Sequence, residues 1–230
     1  MLCLLDRVEE RARLCEVPEE RYKWVMGGAY FCICFVLSLQ SSEGLLADLT
    51  GLCQHNSLGS EEVFVPLRGR YKGEHYAKQH LLKSCATTGS GIRIKLWLAR
   101  VMAVHQACDR STRPAFVNSK GYQSSTSEMN ELFLEVLSEI HEDDSRLFGS
   151  DIGGEGDLPD KFNVFRLFRR GSDSTAVAMK ALEADRYVAN RWKKKKKESA
   201  GTGKVSHAIN QHYVVVNMVK ESFLRYTSAT

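Results

Sequence analysis

The sequence predicts a mainly helical α+β chain with one small antiparallel sheet. Three observations lead there. Met129, Leu132, Phe133, Val136, Leu137 and Ile140 recur at i, i+3, i+4 spacing, which marks one buried helical face. The run Ala29–Leu39 is almost wholly apolar, yet its eleven residues fall well short of the roughly 20 that a bilayer needs, so it reads as a buried helix. Two β-prone segments, 61–67 and 76–83, flank the glycine-bracketed tip Gly69–Gly73, the pattern of a hairpin.

In chain order, residues 1–24 read as helical and charged, with Pro18 breaking the pattern. They read as an N-terminal extension or the remnant of an upstream domain, ahead of a main domain at 25–230. Residues 27–40 form the apolar helix, and Gly44–Leu52 turn into a short strand. After the hairpin, Ile94, Leu98, Val101 and His105 place a helix within 91–108. The polar stretch 109–127 is a loop, and Ser125 with Glu128 forms a capping box for the helix that follows. Glycine and acids make 149–160 a loop. A long helix is expected over 161–182, carrying Arg166, Arg169 and Arg170 near its start. Residues 193–204 are a lysine- and glycine-rich insertion. A last helix spans 206–226, with Ser206 as its N-cap.

Composition excludes several classes. Apolar residues make up 43% and charged residues 26%, ordinary for a soluble globular chain. Seven cysteines include no C-x-x-C pair, which argues against a zinc site and a secreted disulfide framework. Most are expected to be reduced, buried core thiols. The charged stretch Asp6–Arg13 ahead of the apolar run does not fit a signal peptide. His75 and His80 have poor metal spacing, and Glu142–Asp144 reads as a helix end; no metal is expected.

The net charge of +4 is unevenly placed. Residues 128–160 hold eleven acids and one arginine, a net −10. Residues 161–204 hold thirteen Lys/Arg against four acids, a net +9. Either the C-terminal third presents a face to a polyanion, or a solvated lysine loop lies beside an acidic helix. Arg166 and Arg169, spaced i, i+3, share one helical face, and Arg170 points elsewhere. Such guanidinium pairs suit phosphate, because each forks onto two oxygens and stays charged. They also suit pairing with the acidic helix.

The segment Phe168-Arg169-Arg170-Gly171-Ser172 after Arg166 resembles the His-x-x-Arg motif of tyrosine recombinases. Arg169 matches the second catalytic arginine of that family, and Arg166 stands where its histidine usually is. Trp192, next to Arg191, matches the later His-or-Trp position. Gln211-His212-Tyr213-Val214 resembles the segment bearing the nucleophile, which makes Tyr213 the candidate. Ser38-Leu39-Gln40-Ser41-Ser42-Glu43 resembles the first box, with Gln40 in place of its arginine. Lys72 matches the lysine of the family's β-hairpin. The likeness runs in order from about residue 27 to the C-terminus. The family's separate DNA-clamping domain has no counterpart in it. The 21 residues from Trp192 to Tyr213 exceed the family's usual gap.

That resemblance implies a recombinase-like catalytic-domain fold and DNA cleavage and rejoining through a 3′-phosphotyrosyl bond. It implies catalytic roles for Tyr213, Arg169, Arg166, Lys72, Trp192 and the Gln40 position. Arg170, Arg191, Lys193, Lys194, Lys195, Lys196 and Lys197 would contact DNA. No cofactor or metal is required. The partners would be double-stranded DNA and further copies in a DNA-bound tetramer, with no membrane. The location would be intracellular and DNA-associated, and nuclear in a eukaryotic host. Two other readings stay open: a decayed or repurposed recombinase that only binds DNA, for which Gln40 speaks, and a helical protein-interaction domain. Tyr213 also fits an interfacial core tyrosine, Trp192 a packing residue, and Lys72 a solvated turn lysine. The lysine run also fits a plain loop or a nuclear-import signal.

Overall fold

A computed structural model describes residues 1–56, 60–69, 78–111, 114–148, 158–164, 167–183 and 185–186. Its axis is α2 (Pro18–Val36), whose residues from Trp24 to Val36 are all buried. A helix that is apolar all round must be covered all round. The cover comes from α1 (Leu2–Leu14), α5 (Ile94–Ala107), α6 (Thr126–Asp143) and α8 (Leu167–Ala178). A Cβ on Gly27 would collide with Leu132 of α6, and one on Gly28 with the Trp97 ring of α5. The absence of side chains there lets both helices close on α2. α1 adds Leu4, Leu5, Val8 and Ala12 to the same core.

Pro18 interrupts the N-terminal helix as expected and opens the next one, since proline suits a first helical position. The apolar helix therefore starts earlier than residue 27, with Glu19–Arg21 on its exposed first turn. It ends at Val36 rather than at Gln40, because Ser38 adopts a left-handed φ of 51°.

The two strands of the hairpin pair as expected. β1 (Glu62–Gly69) pairs antiparallel with β2 (Lys78–Cys85), from Glu62↔Cys85 to Gly69↔Lys78. β1 runs through Gly69, which the sequence assigns to the turn, and β2 runs to Cys85. Val63, Val65 and Leu67 alternate inward. Residues 70–77, Lys72 among them, lie outside the described residues.

The strand expected over Gly44–Leu52 is a correction. The segment holds α3 (Ser41–Gly44) and the start of α4 (Leu49–His55), and touches β1 through one bridge, Ala47↔Leu67. Leu49 and Leu52, spaced i, i+3 on α4, bury one helical side, which favours helix over a ladder there. The single helix expected over 161–182 is a second correction. α7 (Leu158–Lys161) ends first, and α8 starts at Leu167. Between them the Asn130 side chain of α6 accepts the Val164 N–H at 3.0 Å, which takes that donor out of a helix ladder. Cysteine burial is a third correction. All seven thiols are free, but only Cys32 and Cys34 are buried, because they alone sit on the enclosed part of α2.

The acids of α6 have partners of their own. Glu135, Glu139 and Asp143 follow each other at i, i+4, i+8 and face Lys23, Arg11 and Arg7. The Lys23 and Arg11 pairs measure 2.6 Å, and the Arg7 pair is closed as well. The Ser125–Glu128 box forms in both directions, at 2.6 and 3.1 Å. Among the described residues no helix is long and apolar enough to cross a membrane, and no group of three His, Cys, Asp or Glu is placed to hold a metal.

Candidate functional site

The site is built where α2 ends. Leu39 N–H bonds Cys34 C=O at 2.8 Å and Ser38 N–H bonds Phe35 C=O at 3.1 Å, a paired closure that satisfies the last carbonyls of the helix. The residue between such bonds takes a left-handed conformation, usually as glycine. Here it is Ser38, fully buried. A non-glycine residue there costs about 1–2 kcal/mol, so the surroundings must hold it. The left-handed turn leaves the Ser38 carbonyl available to a partner from elsewhere in the chain.

α3 follows at once. Glu43 reaches back and accepts the Gln40 backbone N–H at 2.8 Å, which fixes the start of the turn. Tyr30 anchors α3 to α2 by donating its hydroxyl to the Ser41 carbonyl at 2.9 Å. A Cβ on Gly44 would collide with the Cys34 sulfur, so α3 lies directly on α2. Burial pushes the Tyr30 phenol and the Cys34 thiol far above their ordinary values, with their closeness adding to the rise for Tyr30. Both stay protonated and act as scaffold, not as nucleophiles.

Arg169 arrives from the first turn of α8. Phe168 beside it packs on Phe31 and Phe133, with ring centroids 5.6 and 5.3 Å apart, and this sets the helix orientation. Arg169 Nε donates to the Ser38 carbonyl at 3.0 Å, and Nη2 donates to Glu43 Oε2 at 2.9 Å. The same carboxylate oxygen therefore takes both the Gln40 N–H and the guanidinium. Glu43 keeps 6% of its side-chain exposure and Arg169 keeps 18%. A guanidinium carries five N–H donors on one rigid plane. Two contacts from one rigid junction fix that plane, with one part of the side chain still reaching solvent.

Gln40 and Arg169 are thus brought together from 129 positions apart, each hydrogen-bonded to Glu43. Arg170, one residue on, is exposed. Arg169 pairs with Glu43, while Glu135, Glu139 and Asp143 of the acidic helix pair with residues of α1 and α2. Lys72, Arg166, Arg191, Trp192, Lys193–Lys197 and Tyr213 lie outside the described residues. Sequence reasoning missed Tyr30 and the conformation of Ser38. A hydroxyl on an otherwise apolar helix was a usable signal, since a buried phenol seeks an acceptor. A serine in a left-handed turn carries no comparable mark. No protein-family model, curated protein or solved structure matches this chain.

Proposed function

We propose that this chain breaks and rejoins DNA as a tyrosine-recombinase catalytic domain. The observation that supports it most is the junction in which one carboxylate, Glu43, holds both the backbone at Gln40 and the Arg169 guanidinium. Those residues belong to two separate stretches of the resemblance, and nothing in their sequence spacing requires them to meet. A rigidly held guanidinium on a side chain that keeps 18% of its exposure suits a phosphate clamp, because the donors must be in place before charge develops on the phosphate oxygens.

In this reading the Tyr213 phenol gives up its proton to solvent as its oxygen attacks the scissile phosphorus. A phosphotyrosyl bond forms, the bond to the 5′ oxygen breaks, and Lys72 supplies that oxygen with its proton. The return attack by a 5′-hydroxyl reverses each change, so no cofactor is consumed. Arg169 and Arg166 would balance the developing charge, and Trp192 would pack at the phosphate. Arg170, Arg191 and Lys193–Lys197 would bind the DNA backbone. Such chemistry joins copies on double-stranded DNA, which makes a DNA-bound tetramer the working form and the host's DNA compartment its location.

A second reading rests on Gln40. A neutral amide brings no charge where relatives of this type carry arginine, and one such clamp is worth about 3–4 kcal/mol. A chain that binds DNA without cutting it would look the same in this respect. The test is a nicked suicide duplex built from the chain's own genomic termini. The proposed enzyme leaves a covalent protein–DNA adduct that Tyr213→Phe abolishes. Salt-sensitive binding without an adduct selects the binding-only reading, and neither adduct nor binding rejects both.

A further inference from the structure

A groove of about 390 Å³ runs between the first turns of α2 and α6 and the 117–124 loop. It lies at the opposite end of α2 from Ser38 and Arg169. Met26, Met129 and Leu132 form its buried floor. Five carboxylates line it, from Glu19, Glu20, Glu128, Glu131 and Glu135, against one cation, Lys23. Lys23 neutralises Glu135, Glu128 is bound in its cap, and Glu20 accepts a weak bond from the Cys15 thiol. Glu19 and Glu131 are exposed and form no ion pair among the described residues. An apolar floor under a negative rim suits a segment with one large apolar anchor set among cations. Methionine adapts its shape readily to an aromatic ring.

The chain carries such a segment. Arg191-Trp192 is followed directly by five lysines, Lys193–Lys197, with no acid before Glu198. We propose that the groove is the docking site for this segment of the same chain, with Trp192 on the methionine floor and the lysines against Glu19, Glu20 and Glu131. The length of chain permits it. Arg186 is fastened to Asp173 of α8 by two bonds of 2.9 and 2.8 Å, and α8 packs at Gly171 on Phe35, near the far end of α2. From Phe35 to Lys23 along the helix is about 18 Å. The lysine run starts seven residues past Arg186, and seven extended residues reach roughly 23–25 Å. The inference does not depend on the DNA reading. If that reading also holds, the groove and DNA compete for the same lysines.

The test uses the full chain without DNA at low salt. A carbodiimide joins lysine amines to carboxylates only where they already touch, and peptide mapping then locates the links. The docking predicts links from Lys193–Lys197 to Glu19, Glu20 or Glu131 in the monomer fraction, lost at high salt. It predicts their loss in the Glu19→Gln/Glu20→Gln/Glu131→Gln variant, whose circular dichroism should match the parent because all three positions are exposed. Absent links would overturn the proposal. So would lysine-run links to other carboxylates that persist unchanged in the variant. Links confined to a covalent dimer would also overturn it, by assigning the groove to a second copy.

Discussion

The ion pairs between α1, α2 and α6 and the pair at the α3–α8 junction differ in what surrounds them. The α1–α2–α6 ladder joins Arg7, Arg11 and Lys23 to carboxylates one helical turn apart, at a surface where the Lys23 and Glu135 side chains keep 47% and 45% of their exposure. The Glu43–Arg169 pair keeps 6% and 18% exposure, and it also carries a backbone N–H and a backbone carbonyl. The chemistry is the same in both. At the exposed Lys23–Glu135 rung water can replace either partner, so that pair contributes little. At the junction, removal of one partner strands a charge among buried groups. The charge that decides the architecture of the site is therefore one glutamate, not the eleven acids of the acidic stretch.

That contrast can be broken most sharply at Glu43. Glu43→Ala should destabilise the fold by roughly 2–4 kcal/mol in urea unfolding, somewhat below a fully buried pair because Arg169 keeps some solvent. Adding Arg169→Ala should recover part of the loss, since the stranded charge then goes too. A loss under 1 kcal/mol would place the junction in the same class as the ladder.

Ser38 gives the next effect. Ser38→Val should cost about 1–3 kcal/mol, because a β-branched side chain resists positive φ. Ser38→Gly should stay within about 1 kcal/mol of the parent, since glycine meets that conformation without strain. Equal losses in both variants would show that the side chain, not the backbone turn, matters there.

His105 separates burial from pairing. It is 1% exposed, with Nε2 2.6 Å from the Ala115 carbonyl, and burial holds its value below the ordinary histidine range. Its folded value lies under its unfolded one, so the unfolded chain binds more protons as the pH falls below about 6.5. Its contribution is complete above that pH and is lost progressively below it, toward the folded value. Urea midpoints at pH 7.5 and 5 should differ more for the parent than for His105→Gln, and an equal difference would assign the acid sensitivity to other groups.

The ladder gives the smallest effect. Glu135→Gln, at the exposed rung with Lys23, should cost under about 1 kcal/mol at low salt, and less in concentrated salt.

Much of this was legible in the sequence, for a physical reason. Where one local rule decides the structure, the reading held. The Ser125–Glu128 box, the apolar face of α6 and the hairpin flanking Gly69 are each set by residues a few positions apart. Gly44–Leu52 was misread because its leucines fit a strand or a short helix, and only packing under β1 decides between them. The helix over 161–182 was overextended because Asn130, more than thirty residues away, captures the Val164 N–H. At the site, the sequence brought Gln40, Glu43 and Arg169 into view by resemblance, without showing that Glu43 would join the other two. It could not reveal that Ser38 turns its carbonyl to Arg169, since that depends on a backbone angle that serine does not announce.

The central claim is that the junction at Gln40 and Arg169 faces a scissile phosphate, and one measurement addresses it directly. Adduct yield on the nicked suicide duplex should be compared between the parent and Gln40→Arg, each with and without Tyr213→Phe. The account predicts a ten- to thousandfold rise with Gln40→Arg, about the worth of one restored phosphate clamp, and no adduct in either Tyr213→Phe form. An adduct that survives the loss of Tyr213, or a Gln40→Arg yield equal to the parent's while DNA is still bound, would contradict it.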